Sequence, residues 1–455
     1  MKYKIDQFNY KTLPQLGGFL MENKIDKVEI GLTDNFDSLP CLSGVMPYLY
    51  QLLDYEIYFP IWLKNLPFCC ISKEAIDHIL PKDDNFKGEK NKKCAKCFWF
   101  KKCSGFPKGY FSKYGLDEIC PADDLPEEIM IEIIPRCNFH CEFCFNKISF
   151  AKKGRKIKEF SAEYVKKIIN GIIKSQIKIV RFTGGEPLLR RDIFELLKYA
   201  KDGGLETRLN TNGSLIDLKT AKKLKRIVDN VLIPIESWTE AKESKISGFK
   251  NALKKKIEAI KLLKKQEIQV VRAGTVVTEE NILNFDKIAD LISGLPLDEW
   301  ELYRPIVTNK KTNLNPRSIN LLADKLIDLR RKADKSVFIA NAIPFCSIKN
   351  LNKLNAVSRG ALYDDGCRRL VIDPRGFVKP HYFLDENIGS PLDILAAWEH
   401  PFMKKMRSLE FLPDICLNCR FKYKCRGGSR YEAKAASDNY YALDPLAAPQ
   451  KIKLA

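Results

Sequence analysis

Three cysteines, Cys137, Cys141 and Cys144, stand at C-x3-C-x2-C spacing directly after an apolar run at 129–134 that reads as a buried strand. Thiols this close together can gather around one small object, and a cubane iron–sulfur cluster is the natural candidate. A cluster takes four ligands, so either a distant thiol completes it or one iron stays open. A structural zinc site is the alternative, and it would want four protein ligands. Further on, a second strand-like run at 177–182 leads straight into Thr183-Gly184-Gly185-Glu186-Pro187. Two glycines let backbone approach a ligand closely, and Glu186 offers a carboxylate to an amine.

The cysteine loop, with Phe143 just before its last thiol, and the Gly-Gly-Glu-Pro segment together resemble the radical S-adenosylmethionine (SAM) superfamily. The resemblance implies that Cys137, Cys141 and Cys144 ligate a [4Fe-4S] cluster whose open iron takes the amino and carboxylate groups of SAM. Reductive cleavage of SAM would then yield a 5′-deoxyadenosyl radical that abstracts hydrogen from a substrate. It further implies that Phe143 packs near the adenine, and that Thr183 with the stretch 184–187 cradles SAM, the latter receiving the methionine amine.

At 455 residues the chain has length for about three domains. Divisions are expected near 125 and 315: a cysteine-rich module at 1–125, the core at 126–315, and a second cysteine-rich domain at 316–455. The richest apolar stretch, 39–63, is broken by Pro40, Pro47, Asp54, Glu56 and Pro60, so no membrane span is expected. The first residues lack the apolar centre of a signal peptide. Fifteen cysteines, an odd number partly grouped in C-x2-C pairs, point to metal ligation in a reducing compartment, and the cytoplasm is the expected location. The formal charge of +20 would attract polyanions, which keeps an RNA substrate as an alternative. Much of the excess sits in runs such as 152–158 and 254–256, which read as solvated faces.

From 127 to 315 strand-like and helix-like segments alternate, the pattern of parallel strands with crossover helices. Strands are expected at 129–134, 177–182, 205–210, 230–235, 268–277 and 299–306. Ser161 is placed to cap a helix at 164–173, and Asp192 one at 193–200. Six such units fit an α/β fold with an open (β/α)6 partial TIM barrel, which the resemblance also implies. Ligands collect at the C-terminal ends of parallel strands, and the three thiols, Gly-Gly-Glu-Pro, Asn212 with Gly213, and Glu236 with Ser237 all fall there. By resemblance Asn212 faces the SAM ribose, and Glu236 and Ser237 stand against SAM. Arg304 closes the last strand, facing a ligand or forming an ion pair.

The flanking modules carry cysteines of their own. Cys94, Cys97 and Cys103 make C-x2-C-x5-C, with Cys120 as a fourth ligand; zinc and iron–sulfur both fit the spacing. Cys41, Cys69 and Cys70 lie among apolar residues and read as core thiols. Cys416, Cys419 and Cys425 repeat C-x2-C-x5-C. This pattern resembles the SPASM or twitch modules that carry auxiliary clusters after many radical-SAM cores, where finding one ahead of the core departs from the usual order. That family pattern expects cysteine where this chain has His381, Ser429 and Ala447, so a complete pair of C-terminal clusters is not expected. Cys416, Cys419 and Cys425 need a fourth ligand, and Cys367 and His381, joined by Cys346, are candidates for another site. Asn65-Leu66-Pro67-Phe68-Cys69 before the first cysteine cluster echoes Asn341-Ala342-Ile343-Pro344-Phe345-Cys346 before the last, as an old duplication would. The tail from 440 reads as peripheral.

The expectation is a radical SAM enzyme with [4Fe-4S], SAM and auxiliary iron–sulfur clusters. Its substrate is expected to be a peptide or protein and its reductant a ferredoxin or flavodoxin. A cofactor or haem-pathway enzyme, an RNA-modifying enzyme and an iron–sulfur electron carrier are the rivals.

Overall fold

The computed structural model describes residues 1–71, 75, 78–80, 86, 88–97, 99–119, 125–142, 144, 159–306, 314–332, 336–361, 366, 368–419 and 421–449. Three expected site residues, Cys120, Phe143 and Cys367, lie outside them. The chain falls into two compact units, Met1–Asp124 and Leu125–Ala455.

The first unit is built on three parallel strands, β1 (Lys2–Ile5), β2 (Val28–Leu32) and β3 (Ile61–Lys64), side by side in that order. Helices Leu13–Glu22 and Leu42–Leu53 make the crossovers. Each buries one stripe at helical spacing, Leu13, Leu16 and Leu20 on the first and Leu42, Val45, Leu49 and Leu52 on the second.

The second unit is a nine-stranded sheet. Its centre is β4 (Glu128–Ile134), β5 (Ile179–Gly184), β6 (Glu206–Asn210), β7 (Asn230–Pro234), β8 (Val270–Val276) and β9 (Glu299–Tyr303), parallel neighbours in sequence order. These are the six strands read from the sequence. Past residue 315 the same sheet continues: β10 (Ser336–Ile339) extends it beside β9, and β11 (Arg369–Ile372) with β12 (Val378–Lys379) extends it beside β4. No break in the sheet marks a boundary at 315. The strand order is linear, so among the described residues the barrel stays open.

Arg181 on β5 and Glu301 on β9 sense each other electrostatically although three strands separate them, which places both on the concave side. There Arg181 pairs with Glu128 at 2.7 Å and Arg272 with Glu301 at 2.5 Å, all buried. The crossover helix Ala162–Lys174 buries Val165, Ile168, Ile169 and Ile172, and Ser161 Oγ accepts from Tyr164 N–H at its start, as expected. Helix Ile193–Asp202 begins where expected, but Asp192 does not cap it; the Arg190 guanidinium takes that carboxylate at 2.6 Å.

Candidate active site

Strand β4 ends at Ile134, and the chain reaches Cys137 pressed against Gly185. A β-carbon on Gly185 would lie 1.9 Å from Arg136 O and 3.0 Å from Cys137 N, so only glycine fits there. Gly185 N–H donates to Ile134 O at 2.6 Å and Glu186 N–H to Arg136 O at 2.8 Å, continuing the β4–β5 ladder up to the first thiol. Cys137 Sγ accepts from Phe139 N–H at 3.3 Å and faces Asn212 Nδ2 at 3.8 Å. Asn212 Nδ2 also donates to Asn138 Oδ1 at 2.8 Å, and Asn138 Nδ2 to Ser214 Oγ at 2.9 Å, which knits the cysteine loop to the loop after β6.

Glu186 is fully buried, and its oxygens accept from Leu188 N–H at 3.0 Å, Thr211 Oγ–H at 2.8 Å and Asn212 N–H at 2.7 Å. Burial pushes its pKa up to about 7, and these donors pull the other way. In this structure the Glu186 side chain is an internal brace between the loops after β5 and β6. Thr183, Gly184 and Pro187 are buried beside it.

The far side of the cysteine loop is held by the helix Glu240–Ser247. His140 N–H donates to Ser247 O at 2.8 Å and Glu142 N–H to Ile246 O at 2.9 Å, while Phe139 stacks on Phe249 with ring centroids 4.5 Å apart. Beneath lies a buried charged group that the sequence reading missed. Glu243 accepts from the backbone N–H of Glu236 at 2.8 Å and of Ser237 at 2.7 Å, and its other oxygen pairs with Lys256. Glu236 in turn accepts from Val276 N–H at 2.8 Å; burial first, and then Glu243, push its pKa up to about 8. Lys256 belongs to the run read as a solvated face, yet it is 1 % exposed. The missed signal was periodicity, because Ala252, Lys256, Ala259 and Leu263 share one stripe of helix Ala252–Lys265. The three thiols lie close enough to act on one another: burial pushes Cys141 up to about 12, Lys256 opposes this, and Cys144 and Cys137 add to it.

Arg304 belongs to an ion pair. Its Nη1 donates to Asp444 Oδ2 at 2.5 Å and to Ala342 O at 3.2 Å, and Nη2 donates to Asp444 Oδ1 at 3.2 Å. Asp444 also accepts from Ser429 N–H at 2.9 Å and is buried, so the tail through 444 is no peripheral segment but a strap onto the end of β9.

The structure brings Cys346 to the C-terminal thiols. Phe345 N–H donates to Cys425 Sγ at 3.4 Å. Burial pushes Cys346 and Cys416 up to about 11 and Cys425 up to about 12, and charge on neighbouring members of the set Cys346, Cys416, Cys419 and Cys425 adds to each shift. Buried His381 lies edge-on to Tyr382 and Phe383, with ring centroids 5.6 and 5.0 Å away. In the first unit Cys94, Cys97 and Cys103 line one small cavity, and Cys69, read as a core thiol, lines it with them. Among the described residues no three His, Cys, Asp or Glu side chains converge on a single-ion position. A cubane asks for a different arrangement, since each thiolate binds a different iron.

Residues 131–292 match the Radical SAM superfamily. The chain is 24% identical over 343 residues to the PqqA peptide cyclase of Bradyrhizobium diazoefficiens, covering 71% of this chain and 86% of that one. It is 25% identical over 339 residues to the AdoMet-dependent heme synthase of Nitratidesulfovibrio vulgaris, covering 69% and 90%. Among solved structures, Streptococcus suis SuiB bound to its precursor peptide SuiA superposes with a TM-score of 0.57 at 16% identity, covering 71% of this chain and 76% of SuiB. The open parallel α/β sheet with its thiols at the strand ends lies in the part of the chain, residues 131–292, that matches the radical SAM superfamily, and the site has the character of a radical SAM enzyme. The family implies SAM and one [4Fe-4S] cluster, and the donor set fits. The three thiols lie near one another on the segment after β4, Cys137 already accepts an N–H hydrogen bond, and Gly185 lets the backbone at Cys137 pack against it. Among the described residues no helix is long and apolar enough to cross a membrane.

Proposed function

We propose that this enzyme modifies a peptide or protein by radical chemistry, with Cys137, Cys141 and Cys144 as ligands of the SAM-binding cluster. Together the cluster and SAM supply one-electron reductive cleavage of a carbon–sulfur bond, and hence a radical able to take hydrogen from an unactivated carbon. The chain's own residues hold and shield. Glu186 and Asn212 fix the first thiol's loop, Glu243 and Lys256 fix the second, and Glu236 and Ser237 follow β7, where Glu236 acts electrostatically on Cys141. Thr183 and the 184–187 backbone form the wall against which SAM is held. Enclosure by the barrel keeps solvent from the radical.

The peptide reading is carried by the likeness to the peptide cyclase and to SuiB, whose structure holds a precursor peptide. A haem-pathway substrate is the second reading, favoured by the likeness to the heme synthase. Region 316–455 would serve as an auxiliary-cluster module of SPASM or twitch type, its four thiols relaying electrons or binding substrate. A ferredoxin or flavodoxin is the proposed reductant, in the cytoplasm. The test is anaerobic turnover of reconstituted enzyme with SAM, reductant and either small peptides encoded beside the gene or porphyrin precursors. A mass change in a peptide, matched by 5′-deoxyadenosine, is expected. Turnover of a porphyrin precursor, or of RNA alone, would overturn the peptide reading.

A further inference from the structure

The two cysteine modules outside the core agree far beyond their shared spacing. Each begins where a parallel strand, β3 in one unit and β10 in the other, leads through Asn-x-(x)-Pro-Phe-Cys into a short 3-10 turn, Phe68–Cys70 or Phe345–Ser347. In both, the strand's last apolar residues gain a further parallel bridge, Leu63 with Ile79 and Ile339 with Ser358. The residue after each bridge partner donates its N–H back to the strand at 2.8 Å, Leu80 to Leu63 O and Arg359 to Ile339 O.

The C-x2-C-x5-C loops then match bond for bond. Cys97 N–H donates to Cys94 O at 2.9 Å, and Cys419 N–H to Cys416 O at 3.1 Å. Phe100 N–H donates to Cys97 O at 3.0 Å, and Lys422 N–H to Cys419 O at 3.1 Å. The last thiol's N–H reaches the aromatic residue four places earlier at 2.8 Å in both, Cys103 to Trp99 O and Cys425 to Phe421 O. That aromatic packs on the phenylalanine of the Pro-Phe-Cys turn: Trp99 on Phe68 with centroids 5.1 Å apart, Phe421 on Phe345 at 5.5 Å. Two places after the last thiol stands a glycine with positive φ, Gly105 at +85° and Gly427 at +73°. The last thiol accepts from the same two backbone N–H groups in each module, those of Phe68 and Gly105 at Cys103, those of Phe345 and Gly427 at Cys425.

We propose that Cys69, Cys94, Cys97 and Cys103 form an N-terminal iron–sulfur cluster site, a structural repeat of the Cys346, Cys416, Cys419 and Cys425 site. Cys69 is the fourth ligand there and Cys120 is not needed. The four thiols surround a cavity lined also by Lys90 and Phe106. They do not converge on one ion, and two backbone N–H groups point at the last sulfur, a device that tunes clusters. The repeat extends to the scaffold, since both sites follow a β-α-β-α-β run of parallel strands: β1 to β3 in one unit and β8 to β10 in the other. The assignment of a cluster, rather than a bare thiol pocket, rests on the reading of the C-terminal site given above.

Iron and acid-labile sulfide per chain, measured on full-length protein reconstituted anaerobically, test it. Cys69→Ala and the double variant Cys94→Ala/Cys97→Ala are expected to lose about one third of the wild-type iron and sulfide, one cluster of three. Cys70→Ala, the adjacent thiol, keeps all of it, and Cys346→Ala mirrors the loss. Circular dichroism separates loss of a cluster from loss of the fold. Iron content unchanged by both N-terminal variants, or zinc bound in place of iron, would overturn the proposal. Formation of 5′-deoxyadenosine in the same preparations reports on the core alone, so its absence would count against the SAM-cleaving reading and leave the N-terminal iron count to decide this one.

Discussion

The core cysteine loop and the C-terminal cysteine site hold thiols in opposite ways. Cys137, Cys141 and Cys144 come from one short stretch of sequence after β4. It is gripped from outside, by Gly185 and Glu186 on one flank and by Ile246 and Ser247 on the other. The C-terminal site draws Cys346 against Cys425 from segments about 80 residues apart, and short turns of its own hold the rest. Three thiols would leave one corner of a cubane for a small molecule, whereas four would close it, as proposed for the C-terminal set. An open site needs a rigid surround because the ligand it admits must be placed, while a closed one would need only its own loops.

The strongest test removes one site and spares the other. Replacing Cys137, Cys141 and Cys144 with alanine is expected to abolish 5′-deoxyadenosine formation, while the clusters proposed outside the core would keep an iron signal in the EPR spectrum. Loss of all iron would show that the two sites are not independent. The strap between the C-terminal region and β9 comes next. Asp444→Ala leaves Arg304 buried without its main counter-charge, and this is expected to cost roughly 3–5 kcal/mol in thermal unfolding of the second unit. A variant as stable as wild type would remove the strap from the account.

The grip on the open site gives a smaller effect. Glu186→Ala strips two hydrogen bonds to the loop after β6 and one within its own loop, and SAM affinity is expected to fall at least about tenfold, roughly 1.4 kcal/mol. Glu186→Gln keeps an acceptor for these donors and should retain most of the affinity. Calorimetry that finds Glu186→Ala unchanged would mean that the loops hold SAM without the brace.

Features carried by short spacing or by alternation were legible in the sequence. The six central strands, the C-x3-C-x2-C loop and Gly-Gly-Glu-Pro fall where expected because each is a local pattern. What stayed hidden depends on pairs remote in sequence. Cys69 looked like core because its neighbours are apolar, and only the fold carries it to Cys103. Glu186 was read by its charge, and nothing in the sequence shows that Thr211 and Asn212 fold back onto it. Lys256 was assigned to solvent from the lysines around it, although its place on the buried stripe pointed inward. Asp444 sits in a tail without pattern, so its partner Arg304 left two roles open.

An effect that appears only as pH changes concerns two buried glutamates on one strand. At Glu128 burial opposes the charge, but Arg181, Arg369 and Arg208 together hold the carboxyl well below the usual range. Glu132, further along β4, has no hydrogen-bond partner on either oxygen among the described residues. Burial pushes it up to about 7; Lys379 and Arg375 offset this in part, and Asp373 adds to it. A carboxyl whose pKa is raised in the folded state binds its proton more tightly than the unfolded chain does. Its contribution is fully present below the ordinary value of 4.5 and is lost as pH rises through about 7. Glu132 should therefore make the protein less stable at about pH 8 than at about pH 5, by at most about 3 kcal/mol. Glu132→Gln, which cannot ionise, should flatten that slope, while Glu128→Gln should destabilise at both pH values because three arginines lose their counter-charge. Unfolding midpoints of the two variants across this range decide it: an unflattened slope in Glu132→Gln would place the titrating group elsewhere in the sheet.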